Sequence, residues 1–209
     1  MKITVVGTGY VGLVAGACLA DLGNEVICVD VDEKKISDLK KGKIPIYEPG
    51  LEEIVKKNFA EKRLTFTTDA KESIEEAKII FIAVGTPQGE NGEADLKYVF
   101  QVCETIGKNA NEQKVIVDKS TVPVGTAKKV KEKVTEFSKF PIDVVSNPEF
   151  LREGSAVKDF LEPDRVVIGS DSEEAAKLIE SLYKPLDCEI VITNSESAEM
   201  IKYASNAFL

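Results

Sequence analysis

The chain has 209 residues, of which 43% are hydrophobic and 30% are charged, and these values are typical of a globular protein. The formal net charge of −9 argues against non-specific binding to nucleic acid or to an anionic membrane surface. No apolar run approaches the length of a membrane span. The sequence contains no histidine, so any acid–base chemistry within it must use carboxylates, lysine, tyrosine or water.

The four cysteines are scattered and show no CxxC pair and no metal-ligand spacing, so no metal site is predicted. Cys18 and Cys28 lie inside apolar runs, which favours small buried side chains in a reducing compartment. The N-terminus leads directly into a predicted strand rather than into a signal peptide. We therefore expect a cytoplasmic protein with no membrane or nucleic-acid partner.

Short apolar runs alternate with amphipathic stretches along the chain. Strands are predicted at 2–7, 25–30, 77–85, 114–120, 142–149 and 164–170, and "CEIVIT" before residue 194 continues the series. Helices are predicted near 11–22, 32–41, 50–60, 94–110, 123–138 and 173–184. Continuous Val and Ile runs indicate strands that are covered on both faces. The pattern predicts an α/β fold with a doubly wound, mainly parallel sheet of Rossmann type and helices on both faces.

A glycine motif follows the first predicted strand. Gly7, Gly9 and Gly12 form a GxGxxG pattern that opens the first predicted helix, as in dinucleotide-binding folds. In such a site Gly7 permits the tight turn, Gly9 lets the backbone approach a pyrophosphate, and Gly12 allows helix and strand to pack closely. The phosphates would meet free N–H groups at the positive end of the helix. An ordinary glycine turn is the alternative, but the strand before and the helix after favour a cofactor site.

An acidic residue ends the second predicted strand. Asp30 follows Gly12 by 18 positions and can accept hydrogen bonds from both hydroxyls of an adenosine ribose. Because a carboxylate there would repel a 2′-phosphate, NAD is favoured over NADP. Lys34 and Lys35 follow closely and keep NADP open as an alternative. We expect Lys35 to lie near the ribose.

Two threonines follow other predicted strands. "VGTP" and "KSTVPVG" place Thr86 and Thr121 at the carboxyl ends of strands, where open α/β sheets bind ligands. Both side chains are candidates to line the nicotinamide side of the cofactor site. Threonine and proline are also common between a strand and a helix, so this pattern alone leaves the choice open.

A pair of carboxylates lies in "SNPEFLREGSA". Glu149 and Glu153 are four residues apart and would share a face if the segment were helical. Burial near a strand end would raise a carboxyl pKa into the range of a general base, although a solvated helix start is the simpler interpretation. The backbone N–H groups of 150–153 are further candidates to hold an anionic substrate.

The stretch 195–209 has a helical apolar period that begins after Ser195. Glu199, Lys202 and Asn206 form one polar stripe beside the apolar one, and on its own this stripe suggests a solvent-exposed salt bridge. The pattern stops on Phe208 and Leu209 with large apolar side chains uncovered. We expect a frayed last turn, poorly fixed Lys202 and Asn206, and a face able to associate.

Taken together, several stretches resemble the UDP-glucose 6-dehydrogenase family. They are "KITVVGTGYVG", "DVDEKKI", "PIYEPGLEEIV", "VGTP", "KSTVPVGTA", "NPEFLREGSAVKDFLEPDRVVIG" and "AEMIKYASNAF". The wider grouping also contains the GDP-mannose and UDP-N-acetylmannosamine dehydrogenases. The resemblance extends from residue 1 to residue 209, and the stretch 150–169 favours the UDP-glucose members.

The resemblance implies a two-step oxidation of the sugar C6 alcohol to a carboxylate that consumes two NAD and passes through a cysteine thioester. It assigns cofactor contacts to Gly7, Gly9, Tyr10, Val11, Gly12, Asp30, Lys35, Thr86, Thr121 and Glu153. It assigns catalytic roles to Thr121, Glu149, Glu153, Lys202 and Asn206, with Glu149 as the base of thioester hydrolysis and the others orienting water or stabilising oxyanions. It assigns substrate contacts to Glu149, Phe150, Leu151, Arg152, Glu153, Lys202 and Asn206.

One part of the family's pattern is not in this sequence. The nucleophilic cysteine of the family lies in a glycine-rich motif, and none of the four cysteines here has such surroundings. The resemblance therefore implies an NAD-binding domain over 1–194 and the truncated beginning of a central connecting helix over 195–209. Such a half would be inactive alone, its full-length parent would be a homodimer with a UDP-sugar substrate, and the fragment would associate through its terminal helix.

Three other interpretations stay open. The sequence is also compatible with half of a GDP-mannose or UDP-N-acetylmannosamine 6-dehydrogenase. It is likewise compatible with a stand-alone NAD-binding or interaction module. An unrelated Rossmann-fold dehydrogenase is disfavoured because single-step oxidation of a hydroxy acid usually needs a histidine.

Overall fold

The computed structural model describes residues 1–90 and 92–208. The strands in these ranges are β1 (Lys2–Val6), β2 (Glu25–Val29), β3 (Leu64–Thr67), β4 (Ile79–Ile82), β5 (Lys114–Asp118), β6 (Ile142–Ser146), β7 (Arg165–Ser170) and β8 (Glu189–Thr193). The helices are α1 (Tyr10–Asp21), α2 (Glu33–Lys40), α3 (Leu51–Ala60), α4 (Ala70–Glu76), α5 (Lys97–Asn109), α6 (Thr126–Thr135), α7 (Ala156–Leu161), α8 (Glu173–Tyr183) and α9 (Ser195–Phe208).

The strands form one sheet in the order β3-β2-β1-β4-β5-β6-β7-β8. Strands β1 to β6 are parallel, β7 runs antiparallel to β6, and β8 is parallel to β7. The chain order reverses between β1 and β4, and ligands bind at such a switch point, outside the carboxyl ends of the strands. The topology confirms the doubly wound, mainly parallel fold that the sequence predicted.

Both faces of the sheet are buried. On β4, Ile79 and Phe81 pack into one hydrophobic core, whereas Ile80 and Ile82 pack into the other. Helices α1, α2, α3, α7 and α8 contribute to the first core, and α4, α5 and α6 contribute to the second. Because side chains alternate across a strand, covering both faces requires apolar residues at every position. This requirement explains the unbroken Val and Ile runs in the sequence.

Several elements differ from the sequence-based prediction. Strand β3 and helices α4 and α7 were not predicted, because each is short and "LTFT" in β3 buries alternate positions only. The segment 147–152 is not helical, so the expectation that Glu149 and Glu153 share a helical face is wrong. Pro148 disfavours a helical conformation at the residue before it, and the segment is irregular between the end of β6 and the turn at 153–155.

Helix α9 packs on the sheet rather than standing free. A Cβ on Gly169 of β7 would lie 2.4 Å from the Cβ of Ala198, so α9 crosses β7 at close range. The helix continues through Phe208, and fraying of its last turn stays a prediction. Lys202 is buried and forms an ion pair, so the expectation of a poorly fixed Lys202 is wrong. Leu209 lies outside the described residues. In 1–90 and 92–208, no helix combines the length and apolarity needed to cross a bilayer.

Candidate cofactor and substrate site

The glycine motif forms a tight turn between β1 and α1. Gly7 has a φ of 101°, in the left-handed region, and a Cβ on it would lie 2.6 Å from the carbonyl oxygen of Ala83. A Cβ on Gly12 would lie 2.0 Å from the carbonyl oxygen of Gly7. By contrast, a Cβ on Gly9 would meet nothing within 4 Å. The turn therefore leaves open space at the N-terminus of α1, where a phosphate can approach backbone N–H groups.

Tyr10 and Val11, which the sequence assigns to the cofactor, are the first residues of α1. The Tyr10 hydroxyl donates a hydrogen bond to Glu48 Oε1 at 2.6 Å and lies 3.0 Å from the carbonyl oxygen of Arg152. The Tyr10 side chain thus contacts the substrate-side segment, while its backbone lies beside Gly9 in the phosphate turn. This residue joins the two halves of the candidate site.

Asp30 lies directly after β2, at the edge of the same crevice. Its Oδ2 accepts hydrogen bonds from the Thr8 hydroxyl at 2.6 Å, the Thr8 N–H at 2.9 Å and the Lys35 ammonium at 2.9 Å. Burial alone would raise the pKa of Asp30, but these donors and the Asp32 N–H lower it to about 2. The carboxylate is therefore ionised and firmly oriented. Lys35 forms an ion pair with Asp30, and its position near the ribose stays a prediction. Lys34 is solvent-exposed.

A cleft of about 390 Å³ connects the glycine turn with Asp30. It is lined by Gly7, Gly9, Asp30 and Lys35, and also by Tyr98 and Gln101 of α5. Its surface is more apolar than polar, which suits a flat aromatic base next to a hydrogen-bonding sugar. The open glycine turn, the oriented carboxylate and this cleft together fit an adenine dinucleotide. The α5 residues were missed in the sequence because they lie far from the motif along the chain.

Thr86 and Thr121 meet at adjacent strand ends. The Thr86 hydroxyl donates a hydrogen bond to the Thr121 carbonyl oxygen at 2.8 Å, which joins the loops that follow β4 and β5. Lys119, two residues before Thr121, was not predicted from the sequence to be a site residue. Its ammonium lies 5.8 Å from the centre of the Phe160 ring and 5.9 Å from the centre of the Tyr183 ring. Burial lowers the pKa of Lys119 to about 8, although the negative charge of Glu149 acts to raise it.

Residues 150–152 form one side of a second groove of about 480 Å³. The guanidinium of Arg165 lies 5.0 Å from the Phe150 ring, which fixes that ring at the groove wall. The N–H of Leu151 donates to Glu149 at 2.6 Å, and the N–H of Arg152 donates to Asp159 at 2.8 Å. These two N–H groups are already used, so a role for them in anion binding requires rearrangement. Glu153 is exposed on the following turn.

Lys202 and Asn206 reach this groove from α9. Lys202 Nζ lies 2.9 Å from Glu149 Oε1, and the two side chains are only 8% and 11% exposed. The same ammonium lies 5.5 Å from the Phe150 ring. Asn206 follows one helical turn later and is exposed at the groove. The structure thus brings the predicted ammonium and amide of α9 to the predicted carboxylate of Glu149, which is more than 50 positions away in the sequence.

Glu199 is not part of a solvent-exposed salt bridge. Its side chain is buried, and its carboxylate accepts hydrogen bonds from the N–H of Gly125 at 2.6 Å and of Ala127 at 2.7 Å, at the N-terminus of α6. Burial raises the pKa of Glu199, and these N–H groups oppose the rise. The expectation that Glu199 and Lys202 pair with each other at the surface is wrong, because each binds a partner from elsewhere in the chain.

The cysteines do not have the properties of a nucleophile. Burial raises the pKa of Cys18, Cys28 and Cys103 to about 12 each, and it also raises the pKa of Cys188. Reactive cysteines have a lowered pKa that favours the thiolate. All four thiols are free, and Cys18 and Cys28 are buried, as the sequence predicted.

The parallel sheet with its switch point, glycine turn and strand-end carboxylate defines a dinucleotide-binding domain of the dehydrogenase type. The sequence model of the UDP-glucose/GDP-mannose dehydrogenase family, NAD binding domain, matches residues 1–187. The chain therefore belongs to this family of NAD-dependent oxidoreductases as its NAD-binding domain, and its cofactor is NAD.

Several known proteins are similar over the whole chain. UDP-glucose 6-dehydrogenase TuaD of Bacillus subtilis is 58% identical over 210 residues, which cover 100% of this chain and 46% of the relative. UDP-glucose 6-dehydrogenase of Rhizobium meliloti is 50% identical over 216 residues, covering 100% and 49% respectively. The chain spans about half the length of the curated relatives it matches.

Solved structures agree with the fold. A UDP-glucose dehydrogenase from Pyrobaculum islandicum superposes with a TM-score of 0.96 at 41% identity, over 99% of this chain and 49% of that one. A GDP-mannose dehydrogenase from Pseudomonas aeruginosa also gives a TM-score of 0.96, at 40% identity, over 100% of this chain and 50% of that one.

Proposed function

We propose that the chain is the NAD-binding half of a UDP-glucose 6-dehydrogenase, which oxidises UDP-glucose to UDP-glucuronate with two NAD. The observation that carries the proposal is the Lys202–Glu149 ion pair, which lies with Asn206 at a groove joined by Tyr10 to the glycine turn. An ammonium and an amide held together can stabilise a developing oxyanion without accepting a proton. The 58% identity to a UDP-glucose 6-dehydrogenase supports the choice of substrate.

The proposed roles follow the side-chain positions. Lys202 and Asn206 stabilise negative charge on the substrate, and Glu149, held by Lys202, acts as the base of thioester hydrolysis. Thr121 and Glu153 orient water and contact the cofactor, and Phe150, Leu151 and Arg152 hold the UDP-sugar. The nucleophilic cysteine comes from outside these 209 residues, which supports our expectation that the chain is inactive alone. Residues 1–194 form the cofactor domain, and 195–209 begin the connecting helix.

Asp30→Ala is expected to weaken NAD binding by roughly 10- to 100-fold, because hydrogen bonds from ribose hydroxyls to a carboxylate contribute about 1.5–3 kcal/mol. Isothermal titration of the folded protein with NAD and with NADP measures the effect. The wild type should prefer NAD, and the variant should lose most of that preference.

Glu33→Ala is the matched control, because Glu33 is exposed in the first turn of α2, three residues from Asp30. It should bind NAD like the wild type. A folded wild-type protein that does not bind NAD would refute the cofactor assignment. Equal NAD affinity of Asp30→Ala and the wild type would refute only the role of Asp30.

A second candidate substrate is GDP-mannose or UDP-N-acetylmannosamine, because the GDP-mannose dehydrogenase structure superposes equally well. Competition between UDP-glucose, UDP-N-acetylmannosamine and GDP-mannose for the groove beside Lys202 would separate these alternatives.

The free, unactivated cysteines support a location in the reducing cytoplasm.

We further propose that α9 pairs with a second copy of the chain, as the homodimeric parent would. Met200, Tyr203 and Phe208 of α9 are exposed apolar side chains, and Val124 continues the patch. Light scattering should give the mass of a dimer for the wild type. Tyr203→Ser should shift the protein toward the monomer, whereas Ile192→Ser, a change of an equally exposed apolar residue on β8, should not. A wild-type monomer at millimolar concentration would contradict this association, although the stand-alone module would then still be able to bind NAD.

A further inference from the structure

Glu48 lies in the turn-rich segment 41–50, which connects α2 to α3. Its side chain is 4% exposed, so its carboxylate is almost completely buried. A buried carboxylate is costly unless hydrogen-bond donors surround it. The donors to Glu48 therefore show what the segment is built to hold.

Three donors from two different parts of the chain bind this carboxylate. The Tyr10 hydroxyl and the N–H of Gly154 donate to Oε1, each at 2.6 Å, and the N–H of Ala156 donates to Oε2 at 3.0 Å. Burial alone would raise the pKa of Glu48, but these donors lower it below its ordinary value. Glu48 is thus an ionised group whose oxygens are both occupied.

The two parts that Glu48 joins are the two halves of the candidate site. Tyr10 directly follows Gly9, in the turn that faces the pyrophosphate. Gly154 and Ala156 follow the segment that lines the substrate groove, and the Tyr10 hydroxyl also contacts the Arg152 carbonyl oxygen. At the far end of this connection, Asp159 binds the Arg152 guanidinium at 2.7 Å. A continuous set of hydrogen bonds therefore leads from the cofactor turn to the substrate groove.

We propose that Glu48 is a positioning residue that couples the NAD turn to the substrate-binding segment 150–156 through Tyr10. When NAD fixes the first turn of α1, the Tyr10 hydroxyl fixes Glu48, and Glu48 fixes the N–H groups of Gly154 and Ala156. The substrate groove is then ordered before the sugar nucleotide enters. Such coupling requires that the segment 150–156 be less ordered in the NAD-free protein than in the NAD-bound protein, and this difference is measurable. The inference rests on the proposed cofactor and substrate sites.

Hydrogen exchange of the amides in 150–157, with and without saturating NAD, tests the coupling. In the wild type, NAD should slow their exchange by about fivefold or more, because exchange reports local opening. In Glu48→Gln the amide keeps the size of the side chain but places an NH₂ group against one of the present donors. The effect of NAD on this segment should then fall to less than about twofold, while amides beside Gly9 remain protected by NAD.

Tyr10→Phe provides a second test, because it removes the bridging hydroxyl and leaves the backbone contacts of Glu48 in place. Each variant is measured at an NAD concentration that saturates it, so a change in affinity does not affect the comparison. Glu53→Gln on the exposed face of α3 and Tyr47→Phe, with an exposed ring, are the matched controls and should transmit protection like the wild type.

The possible outcomes distinguish a failure of the proposed coupling through Glu48 from a failure of the proposed NAD site. If NAD protects the amides beside Gly9 but never those in 150–157, the coupling is overturned and the cofactor site stands. If Glu48→Gln and Tyr10→Phe transmit protection as fully as the wild type, Glu48 is only structural and the coupling is overturned. If NAD does not bind, the cofactor site itself is overturned, and the coupling with it.

Discussion

Lys202→Met is expected to lower the free energy of unfolding by roughly 3–5 kcal/mol, because it leaves the Glu149 carboxylate buried without its partner. The ion pair spans 2.9 Å and is almost inaccessible to water, so solvent cannot replace the ammonium. Urea unfolding followed by circular dichroism measures the change, since the midpoint falls while the slope stays constant. The double variant Lys202→Met/Glu149→Gln should recover most of the loss, because it removes the unpaired charge.

The chain offers a matched exposed pair as control. Lys177 and Glu173 form an ion pair on α8 whose side chains are 67% and 83% exposed. Lys177→Met is expected to leave the free energy of unfolding almost unchanged, because solvent screens an exposed ion pair. If Lys202→Met costs no more than Lys177→Met, then Lys202 does not form the buried pair described above, and its proposed orientation toward the substrate is wrong.

Asp118→Asn is expected to stabilise the protein at pH 8 and to flatten the dependence of its stability on pH. Asp118 ends β5, and its side chain is buried. Its Oδ1 accepts the Ser120 N–H at 3.1 Å, and its Oδ2 has no hydrogen-bond partner among the described residues. Burial raises the pKa of Asp118 to about 7, the Ser120 N–H opposes the rise, and Glu199 adds to it.

The sign of the effect follows from proton binding. Between about pH 4 and pH 7 the folded protein keeps a proton on Asp118 that the unfolded chain has released. The contribution to stability is therefore fully present below pH 4 and is lost as the pH rises to 7. A pKa difference of this size corresponds to at most ~4 kcal/mol, so Asp118→Asn should be more stable than the wild type by ~2–4 kcal/mol at pH 8.

Urea unfolding at pH values from 4.5 to 8 measures this difference. The stability advantage of Asp118→Asn should grow with pH up to about 7 and then stay constant. Asp171→Asn, the same change at an exposed aspartate after β7, is the matched control with which Asp118→Asn is compared. An advantage of equal size at pH 5 and pH 8 would show that Asp118 does not titrate in this range.

Much of the fold follows from local patterns in the sequence. The Val and Ile runs of β1, β4 and β5 identify buried parallel strands, because a sheet covered on both faces admits no polar alternation. The antiparallel direction of β7 and the short elements β3, α4 and α7 were not predictable in this way. The elements β3, α4 and α7 have too few residues to show a hydrophobic period. The direction of β7 depends on how the segments that connect the strands pack.

The glycine turn and the carboxylate of Asp30 beside it were likewise predictable, because they are close in sequence. The substrate half was only partly so. Glu149 and Lys202 were predicted separately, but their ion pair depends on α9 packing across β7. Glu48 lies in a turn-rich segment whose sequence carries no periodic signal, and its function appears only through its hydrogen-bond partners.

The sequence by itself determined the class of fold, the glycine turn and the acid at the end of β2, because these depend on residues within about one βαβ unit. The tertiary structure decided which charges are buried and which groups they bind. Glu199 and Lys202 lie on one stripe of α9, yet one caps α6 and the other binds Glu149. The physical reason is that burial and partners are set by contacts between segments far apart in the chain, which no local period encodes.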